Sequence, residues 1–427
     1  MLKGLYHCGI LLLDAVMHIG AWFNPKLKKG VVGRRGLFQD LRRTLSVLPE
    51  ERQVAWFHAA SLGEFEQGRP VIEEFKKSYP ASFIVLTFFS PSGYEIRKNY
   101  SGADYICYLP LDTARNAREF IDILKPQIVF FIKYEFWFNY LSVLHERKVP
   151  VISFSTIFRP DQIFFKFYGG FYRNLLTFFS HILLQNEESL TLLKQIGIAR
   201  CSVGGDTRFD RVQSIASAAR NLPEISSFVG DEFCLVAGSV WEADMEVLIP
   251  ALNALPRKHK AIIAPHEIKK EQIGGWMAKL RGKSVLYSDY IAQQTEEPYD
   301  YLIIDNIGML SSLYRYGHAA YIGGAFGSGL HNILEAATFG LPVIFGDRKY
   351  EKFQEAVDLI GQGGARSVGN AAVLGKFIES LICDPSLRTS MGVVSGDYVL
   401  RNTGATDRVM EQVKKLIHPE TPEDKRS

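Results

Sequence analysis

The chain has 427 residues, 47% of them hydrophobic and 22% charged, enough for about two or three globular domains with ample cores. Its 49 basic and 46 acidic residues leave a net charge of +3, too small to point to nucleic acid. Five scattered cysteines without a C-x-x-C spacing argue against a disulfide framework or a zinc site and suit a reducing compartment.

Residues 4–23 are mostly apolar, near the ~20 residues that span a bilayer. Lys26, Lys28, Lys29, Arg34 and Arg35 follow at once. Residues 1–43 hold eight Lys/Arg against two Asp, a net +6, so the rest of the chain is near −3. Positive charge beside an apolar segment stays on the cytoplasmic side, which predicts a membrane anchor and basic flank over 1–36 and a cytoplasmic body. The basic residues follow the apolar core and no A-x-A site appears, unlike a cleaved signal peptide. Lys3, His7, Asp14 and His18 share one stripe at helical spacing. A helix lying in the headgroups and a buried first helix are therefore alternatives to a span.

From residue 54 onward, strand-like and helix-like stretches alternate. Residues 54–60, 83–88, 128–132, 149–154 and 181–185 read as buried strands. Residues 216–228 break the rhythm as a linker. Alternation resumes with strands at 233–238, 260–264, 301–304, 319–322 and 342–345. Two alternating sets predict two doubly wound α/β domains, 37–215 and 229–416, with a disordered tail over 417–427. Ligands of such sheets bind beyond the carboxyl ends of the strands, so a cleft between two facing domains is the expected active site.

Three segments of the first domain carry candidate chemistry. In Phe57-His-Ala-Ala-Ser-Leu-Gly-Glu-Phe65, Glu64 sits in the first turn of a helix, where a carboxylate can take a proton from an acceptor hydroxyl. The same residues also spell a capping box, Ser61-x-x-Glu64. In Lys133-Tyr-Glu-Phe-Trp-Phe-Asn139, Glu135 lies among aromatics, so it is either functional or paired with a buried cation such as Arg208 or Arg159. In Gly204-Gly-Asp-Thr-Arg-Phe-Asp210, Arg208 is placed to offset charge on a departing phosphate, or else pairs with Asp206 or Asp210.

The second domain offers loops after successive strands: 237–242, 264–267 and 305–310. The run from Ala320 to Gly346 then reads as strand, glycine-rich turn, helix and strand. Gly323, Gly324, Gly327 and Gly329 leave the turn backbone bare, and the helix is expected to start near His331 and Asn332. Bare amides beside a helix N-terminus make an anion site, and Glu335 one turn in can reach a ribose hydroxyl. Asn332 and Glu335 also form an N-x-x-E capping box.

In order and spacing these segments resemble the 3-deoxy-D-manno-octulosonic acid (Kdo) transferase family, over nearly the whole chain to about residue 415. The family's V-S-x-G-E is matched by Ala60-Ser-Leu-Gly-Glu64, and its E-x-E-L-W-P-N by Lys133-Tyr-Glu-Phe-Trp-Phe-Asn139. Its Q-N-E-E is matched by Gln185-Asn-Glu-Glu188, its G-N-x-K-F-D by Gly205-Asp-Thr-Arg-Phe-Asp210, and its A-S-T-H-E by Gly238-Ser-Val-Trp-Glu242. Its G-G-H-N-x-L-E-P-A-x-x-G-x-P-V is matched by residues 329–343. Four positions depart from the family pattern. Arg208 stands for lysine, Lys133 for glutamate and Trp241 for histidine, and His266 stands where arginine is common.

The resemblance implies a GT-B fold with an N-terminal membrane-associated helix, acting at the cytoplasmic face of the inner membrane. It implies inverting transfer of Kdo from CMP-Kdo to the 6′-hydroxyl of a lipid A precursor, with no metal or other cofactor and no nucleic-acid partner. Glu64 is then the general base, with Glu135 and Arg208 as transition-state stabilisers. Ser239, Glu242, Pro265, His266, Gly308, Met309, Leu310, Gly324, His331, Asn332, Ile333, Leu334 and Glu335 hold the nucleotide. The aromatic run 164–179, with Lys166 and Arg173, is either a lipid-facing surface or an ordinary buried helix. A nucleotide-sugar 2-epimerase of the same fold and a membrane-tethered nucleotide-binding scaffold are the competing readings.

Overall fold

The computed structural model describes residues 2–49, 52–256, 258–293, 298–327 and 329–417. They form two compact units. The first holds the chain up to Arg211 and again from Thr403, and the second spans Val212–Asn402. Each is built on a seven-stranded parallel sheet.

In the first unit the strands are β1 Val54–Ala59, β2 Phe83–Phe88, β3 Tyr105–Tyr108, β4 Ile128–Ile132, β5 Val151–Thr156, β6 His181–Leu184 and β7 Cys201–Val203, in the order β3-β2-β1-β4-β5-β6-β7. β1 and β4 are buried along their whole length, as expected for strands covered by helices on both faces. Alternate residues point to opposite faces. Trp56 and Phe131 join one apolar cluster, and Phe57 and Phe130 the other. The chain winds outward from β1 to β3, then returns to β4 on the other side of β1. The gap between the carboxyl ends of β1 and β4 is thus a topological switch point.

The second unit repeats the plan with β8 Cys234–Val240, β9 Lys260–Pro265, β10 Ser284–Leu286, β11 Tyr301–Ile303, β12 Ala319–Ile322, β13 Val343–Gly346 and β14 Ala365–Val368, in the order β10-β11-β9-β8-β12-β13-β14. Its switch point lies between β8 and β12. Ten strands match the stretches expected from the sequence. The four others, β3, β7, β10 and β14, are the four sheet edges. Edge strands here are three or four residues long and only partly buried, so no apolar run announces them.

Two expected boundaries are corrected. The supposed linker 216–228 is largely ordered, because helix Thr207–Ser217 runs into it and helix Pro223–Val229 buries Ile225 and Phe228. The C-terminal helix Ala405–Ile417 belongs to the first unit, not the second: Val409, Met410 and Val413 join the apolar cluster of Phe57, Phe75 and Phe130. Asp210 holds its start, accepting from the Gly404 N–H, the Thr406 N–H and the Thr406 hydroxyl at 2.6, 2.7 and 2.7 Å. Arg408 donates to the Gly204 carbonyl at 2.9 Å. Of the tail expected to be disordered, 418–427 lies outside the described residues.

The N-terminal helix Leu2–Gly20 buries Ile10 and Met17 in the first unit. Tyr6 donates to Asp112 at 2.5 Å, and His7 meets the Asn139 side chain at 3.0 Å. Asp112 is fully buried and also accepts from the Asn139 and Tyr140 N–H groups. The polar stripe is thus protein-facing at His7 and solvated at the Asp14–His18 pair. Leu5, Leu12, Val16, Ile19, Trp22 and Phe23 remain exposed. Among the described residues no single helix is long and apolar enough to cross a membrane; Lys3–Gly20 and Pro25–Val32 qualify only as a pair bent by 120°. Arg34 is not part of an exposed basic flank. Its guanidinium donates to the carbonyls of Leu109, Gly30 and Phe89, and burial lowers its pKa to about 10. Lys26, Lys28, Lys29 and Arg35 stay exposed.

Candidate active site

Glu64 opens the helix Leu62–Ser78 that follows β1. Its Oε2 accepts from the Ser61 N–H at 2.9 Å and the Ser61 hydroxyl at 3.3 Å, so the capping contact is formed. One oxygen caps the helix, and a carboxylate has a second for other work. Burial raises its pKa, with the negative charge of Glu135 adding to the rise; His58, the Ser61 N–H and Lys133 pull the other way. A carboxyl pushed upward is better matched to taking a proton near neutral pH.

Glu135 follows β4, the neighbour of β1, so both carboxylates lie at one switch point. Its partners are not the arginines expected from the sequence, Arg208 or Arg159. Instead its Oε2 accepts from Trp137 Nε1 at 2.6 Å and meets His58 Nε2 at 3.1 Å. His58 lies in β1, fully buried, with its Nδ1 2.8 Å from the Thr87 hydroxyl in β2. His58 is not among the residues singled out from the sequence, where it reads as strand interior. The signal for it is a lone histidine three residues before the Ser-Leu-Gly-Glu motif, on the same strand face as Trp56.

Arg208 follows β7, on helix Thr207–Ser217. Its Nε donates to Asp206 Oδ2 at 2.8 Å, so the ion pair with Asp206 is made. Buried Asp206 also accepts from Gln67 Nε2 at 3.1 Å. Gln67 is on the same helix as Glu64, about one turn along, and its carbonyl accepts from the Thr207 hydroxyl. The Arg208 segment is thereby fastened to the Glu64 helix. The motif divides its labour: Asp206 and Asp210 hold structure, and Arg208 remains about one-third exposed.

In the second unit the glycine-rich turn differs from expectation. Its amides are not bare. Gly323 N–H donates to the Gly238 carbonyl, Gly327 and Gly329 N–H to the Gly324 carbonyl, and His331 N–H to the Gly323 carbonyl. Gly324 N–H donates to Asp244 Oδ2 at 2.9 Å. Asp244, fully buried, also accepts from the Trp241 N–H at 2.9 Å and the Tyr321 hydroxyl at 3.0 Å; burial raises its pKa against these bonds. The glycines serve close approach. A Cβ on Gly323 would stand 2.3 Å from the Ser239 carbonyl oxygen, and Gly324 has φ +98°. Ser239 itself adopts φ +52° at a bulge in β8, an uncommon conformation for a non-glycine residue.

The helix is also shorter than expected. Regular helix covers only Leu334–Ala337, so a helix dipole is no longer an argument for an anion there. Asn332 lies just outside it, its side chain accepting from the Leu334 N–H at 3.2 Å and donating to Glu335 Oε1 at 3.2 Å, without forming the expected capping box. Ile333 and Leu334 are buried, whereas Asn332 is exposed. Glu242 is drawn into packing: its Oε2 accepts from Gln272 and Trp276 at 2.8 and 2.7 Å. Gly308 (φ +92°) and Met309 precede the one-turn helix Leu310–Leu313 after β11.

Pro265 ends β9, and His266 follows it. The His266 ring stacks on Trp241 at 4.2 Å and on His331 at 4.5 Å between centroids. Trp241 Nε1 donates to His331 Nε2 at 2.9 Å, which places the His331 proton on Nδ1. Burial, then the neighbouring His266, lowers the His331 pKa to about 4. Two of the departures noted in the sequence, Trp241 and His266, are therefore one packed feature.

Of the aromatic run 164–179, Phe164 and Phe179 are buried and Arg173 donates to the carbonyls of Phe164 and Lys166. Phe167 and Tyr168 are the exposed pair.

Residues 33–211 match the family model for 3-deoxy-D-manno-octulosonic-acid transferase (kdotransferase). The chain is 26% identical to the 3-deoxy-D-manno-octulosonic acid transferase of Chlamydophila psittaci over 378 residues, 87% of each chain. It is 27% identical to that of Aquifex aeolicus over 315 residues, 72% of this chain and 80% of the other. Among solved structures, a UDP-GlcNAc 2-epimerase from Neisseria meningitidis superposes with a TM-score of 0.60 at 15% identity, covering 85% of this chain and all of that one. MurG from Acinetobacter baumannii does so at 0.55 and 15%, covering 85% and 99%. At such identities the structural likenesses speak for the GT-B fold alone.

Proposed function

We propose that this chain, a glycosyltransferase carrying the Kdo-transferase domain, moves Kdo from CMP-Kdo to the 6′-hydroxyl of a lipid A precursor, with inversion, in lipopolysaccharide biosynthesis. The observation that carries the reading is the pair Glu64 and Glu135 at the β1/β4 switch point, with the Glu64 pKa raised by burial and by its neighbour.

In the proposed reaction Glu64 takes the hydroxyl proton as the acceptor oxygen bonds to the anomeric carbon. The bond from that carbon to the CMP phosphate breaks on the opposite face, and the phosphate leaves with the electron pair. Positive charge grows at the ring and negative charge on the phosphate. Glu135 offsets the first and Arg208 the second. Arg208 acts through a guanidinium already fixed by Asp206, so little reorganisation is required of it. The second unit is assigned the nucleotide, held by Ser239, Glu242, Pro265, His266, the 308–310 loop, Gly324 and residues 331–335. Their part is to bind and orient CMP, and we assign no metal to the reaction.

The lipid acceptor gives the exposed apolar face of the first helix a purpose. Leu5, Leu12, Val16 and Ile19 lie on one side of it, with Trp22 and Phe23 at its end and Lys26, Lys28 and Lys29 beyond. Such a helix rests in the headgroups of an anionic leaflet, which accords with a location at the cytoplasmic face of the inner membrane.

Incubating the purified protein with CMP-Kdo and lipid IVA, then weighing the lipid, tests the proposal. Lipid heavier by whole Kdo units is expected. Free sugar released from UDP-N-acetylglucosamine would instead support an epimerase, and CMP binding without product would support a scaffold.

A further inference from the structure

Thr87, His58 and Glu135 form one chain of hydrogen bonds that starts inside the sheet and ends at the switch point. Its proton positions follow from what each group can do. Trp56 Nε1 is only a donor, and it points at the Thr87 hydroxyl oxygen at 2.8 Å. The Thr87 proton then has two acceptors in reach, the Phe57 carbonyl at 3.4 Å and His58 Nδ1 at 2.8 Å. In an uncharged ring an Nδ1–H would leave a bare Nε2 lone pair against Glu135 Oε2, so Nδ1 accepts from Thr87. The ring proton then sits on Nε2, facing Glu135 Oε2 at 3.1 Å.

The ring has little freedom. His58 pairs in register with Thr87 of β2 and Phe131 of β4, and the Phe131 ring lies edge-on at 5.7 Å. Trp137 donates to the same Glu135 oxygen from the opposite end of the loop. Two N–H groups on Oε2 fix the rotation of the carboxylate and reserve Oε1.

We propose that His58 is a positioning residue for glycosyl transfer: its Nε2–H, set by the Trp56–Thr87 pair, holds Glu135 in the one orientation that serves the reacting sugar. The proposal rests on the Kdo-transfer reading. Displacing a catalytic group by about 1 Å costs on the order of 100-fold, and supports of this kind are worth about 10- to 100-fold where they have been removed from metal ligands.

Three variants and one spectrum test it. His58→Asn keeps an acceptor for Thr87 but cannot reach Glu135, and it should lower kcat about 10- to 100-fold with KM for CMP-Kdo within about twofold. His58→Gln keeps an N–H at the position of Nε2 and should recover most of that loss. In a Glu135→Gln background, His58→Asn should cost little more, because both changes act through one carboxylate. Independent of activity, nitrogen-15 NMR of the folded wild-type protein should show His58 protonated on Nε2. Losses that multiply in the double variant, no recovery by glutamine, or an Nδ1–H tautomer would each overturn the proposal. If the wild type transfers no Kdo, the functional reading fails by itself, and the tautomer alone decides whether His58 orients Glu135.

Discussion

Replacing Asp244 with alanine leaves three donors without an acceptor, two buried and one half-buried: the Gly324 N–H and the Tyr321 hydroxyl, and the Trp241 N–H, now bonded at 2.9, 3.0 and 2.9 Å. Each orphaned donor costs about 1–3 kcal/mol, so a loss of about 4–6 kcal/mol is expected after some relaxation. That is a large part of the about 5–15 kcal/mol that holds a domain together. Asp244→Asn keeps the shape and one acceptor oxygen but turns an NH2 toward a donor, for a loss of about 2–3 kcal/mol. Tyr321→Phe removes one donor and leaves the carboxylate two, for about 1 kcal/mol. At about 2–4 °C per kcal/mol for a unit of this size, calorimetry should show the alanine variant's second-unit transition lowered by about 8–24 °C and that of Tyr321→Phe by about 2–4 °C. CMP binding, followed by titration calorimetry, should weaken in the same order, because Asp244 ties the glycine-rich turn to the end of β8. An Asp244→Ala transition no lower than that of Tyr321→Phe would show that something else holds the turn.

Glu64→Gln retains an oxygen for the Ser61 N–H and removes only the proposed base, so kcat should fall about 100- to 10,000-fold, with a melting temperature close to that of wild type at low pH; near-normal turnover rules Glu64 out. Because the folded pKa of Glu64 is raised, the stability linked to its proton is full below the unfolded value of about 4.3 and lost as pH rises through the folded one. The melting temperature of Glu64→Gln relative to wild type should therefore climb as pH rises above the unfolded value, and a falling difference contradicts the shift. Trp241→Phe keeps the stack on His266 but loses the bond to His331, which should weaken CMP binding about fivefold, the equivalent of ~1 kcal/mol; unchanged affinity would show that the bond does not shape the site. His331 has a folded pKa of about 4, so its contribution to stability is full above the unfolded value near 6.5 and is lost as pH falls toward 4; His331→Asn should flatten the drop in melting temperature across that window. Leu12→Glu with Val16→Glu alters two exposed positions, 66% and 53% accessible, and should reduce sedimentation with anionic phospholipid vesicles while leaving the melting temperature alone. Equal sedimentation would leave the apolar face without a membrane role.

The central strands were legible because burial on both faces demands apolar residues. Ile128–Ile132 has no other reading once its neighbours alternate with helices. The motif loops were legible for a related reason. Chemistry in a doubly wound sheet gathers at strand ends, and glycines and carboxylates placed just after an apolar run mark those ends. The edge strands and the C-terminal helix were not legible. Residues 405–417 carry an amphipathic pattern that fits either unit, and contacts made only on folding choose between them: Val409, Met410 and Val413 against Phe57 and Phe130, and the Gly404 and Thr406 N–H groups on Asp210.

The roles within the site divide in the same way. Sequence order alone identified two sheets, the loops at their strand ends and the candidate residues Glu64, Glu135 and Arg208, because those features depend on what lies next along the chain. It could not tell that Glu135 is held by His58 and Trp137, that Asp244 rather than a helix dipole organises the glycine-rich turn, or that Trp241 and His266 form one stack. Apart from the neighbouring Trp137, those contacts join residues 25 to 80 positions apart, and a hydrogen bond is set by distance and direction in space, which only the folded chain fixes.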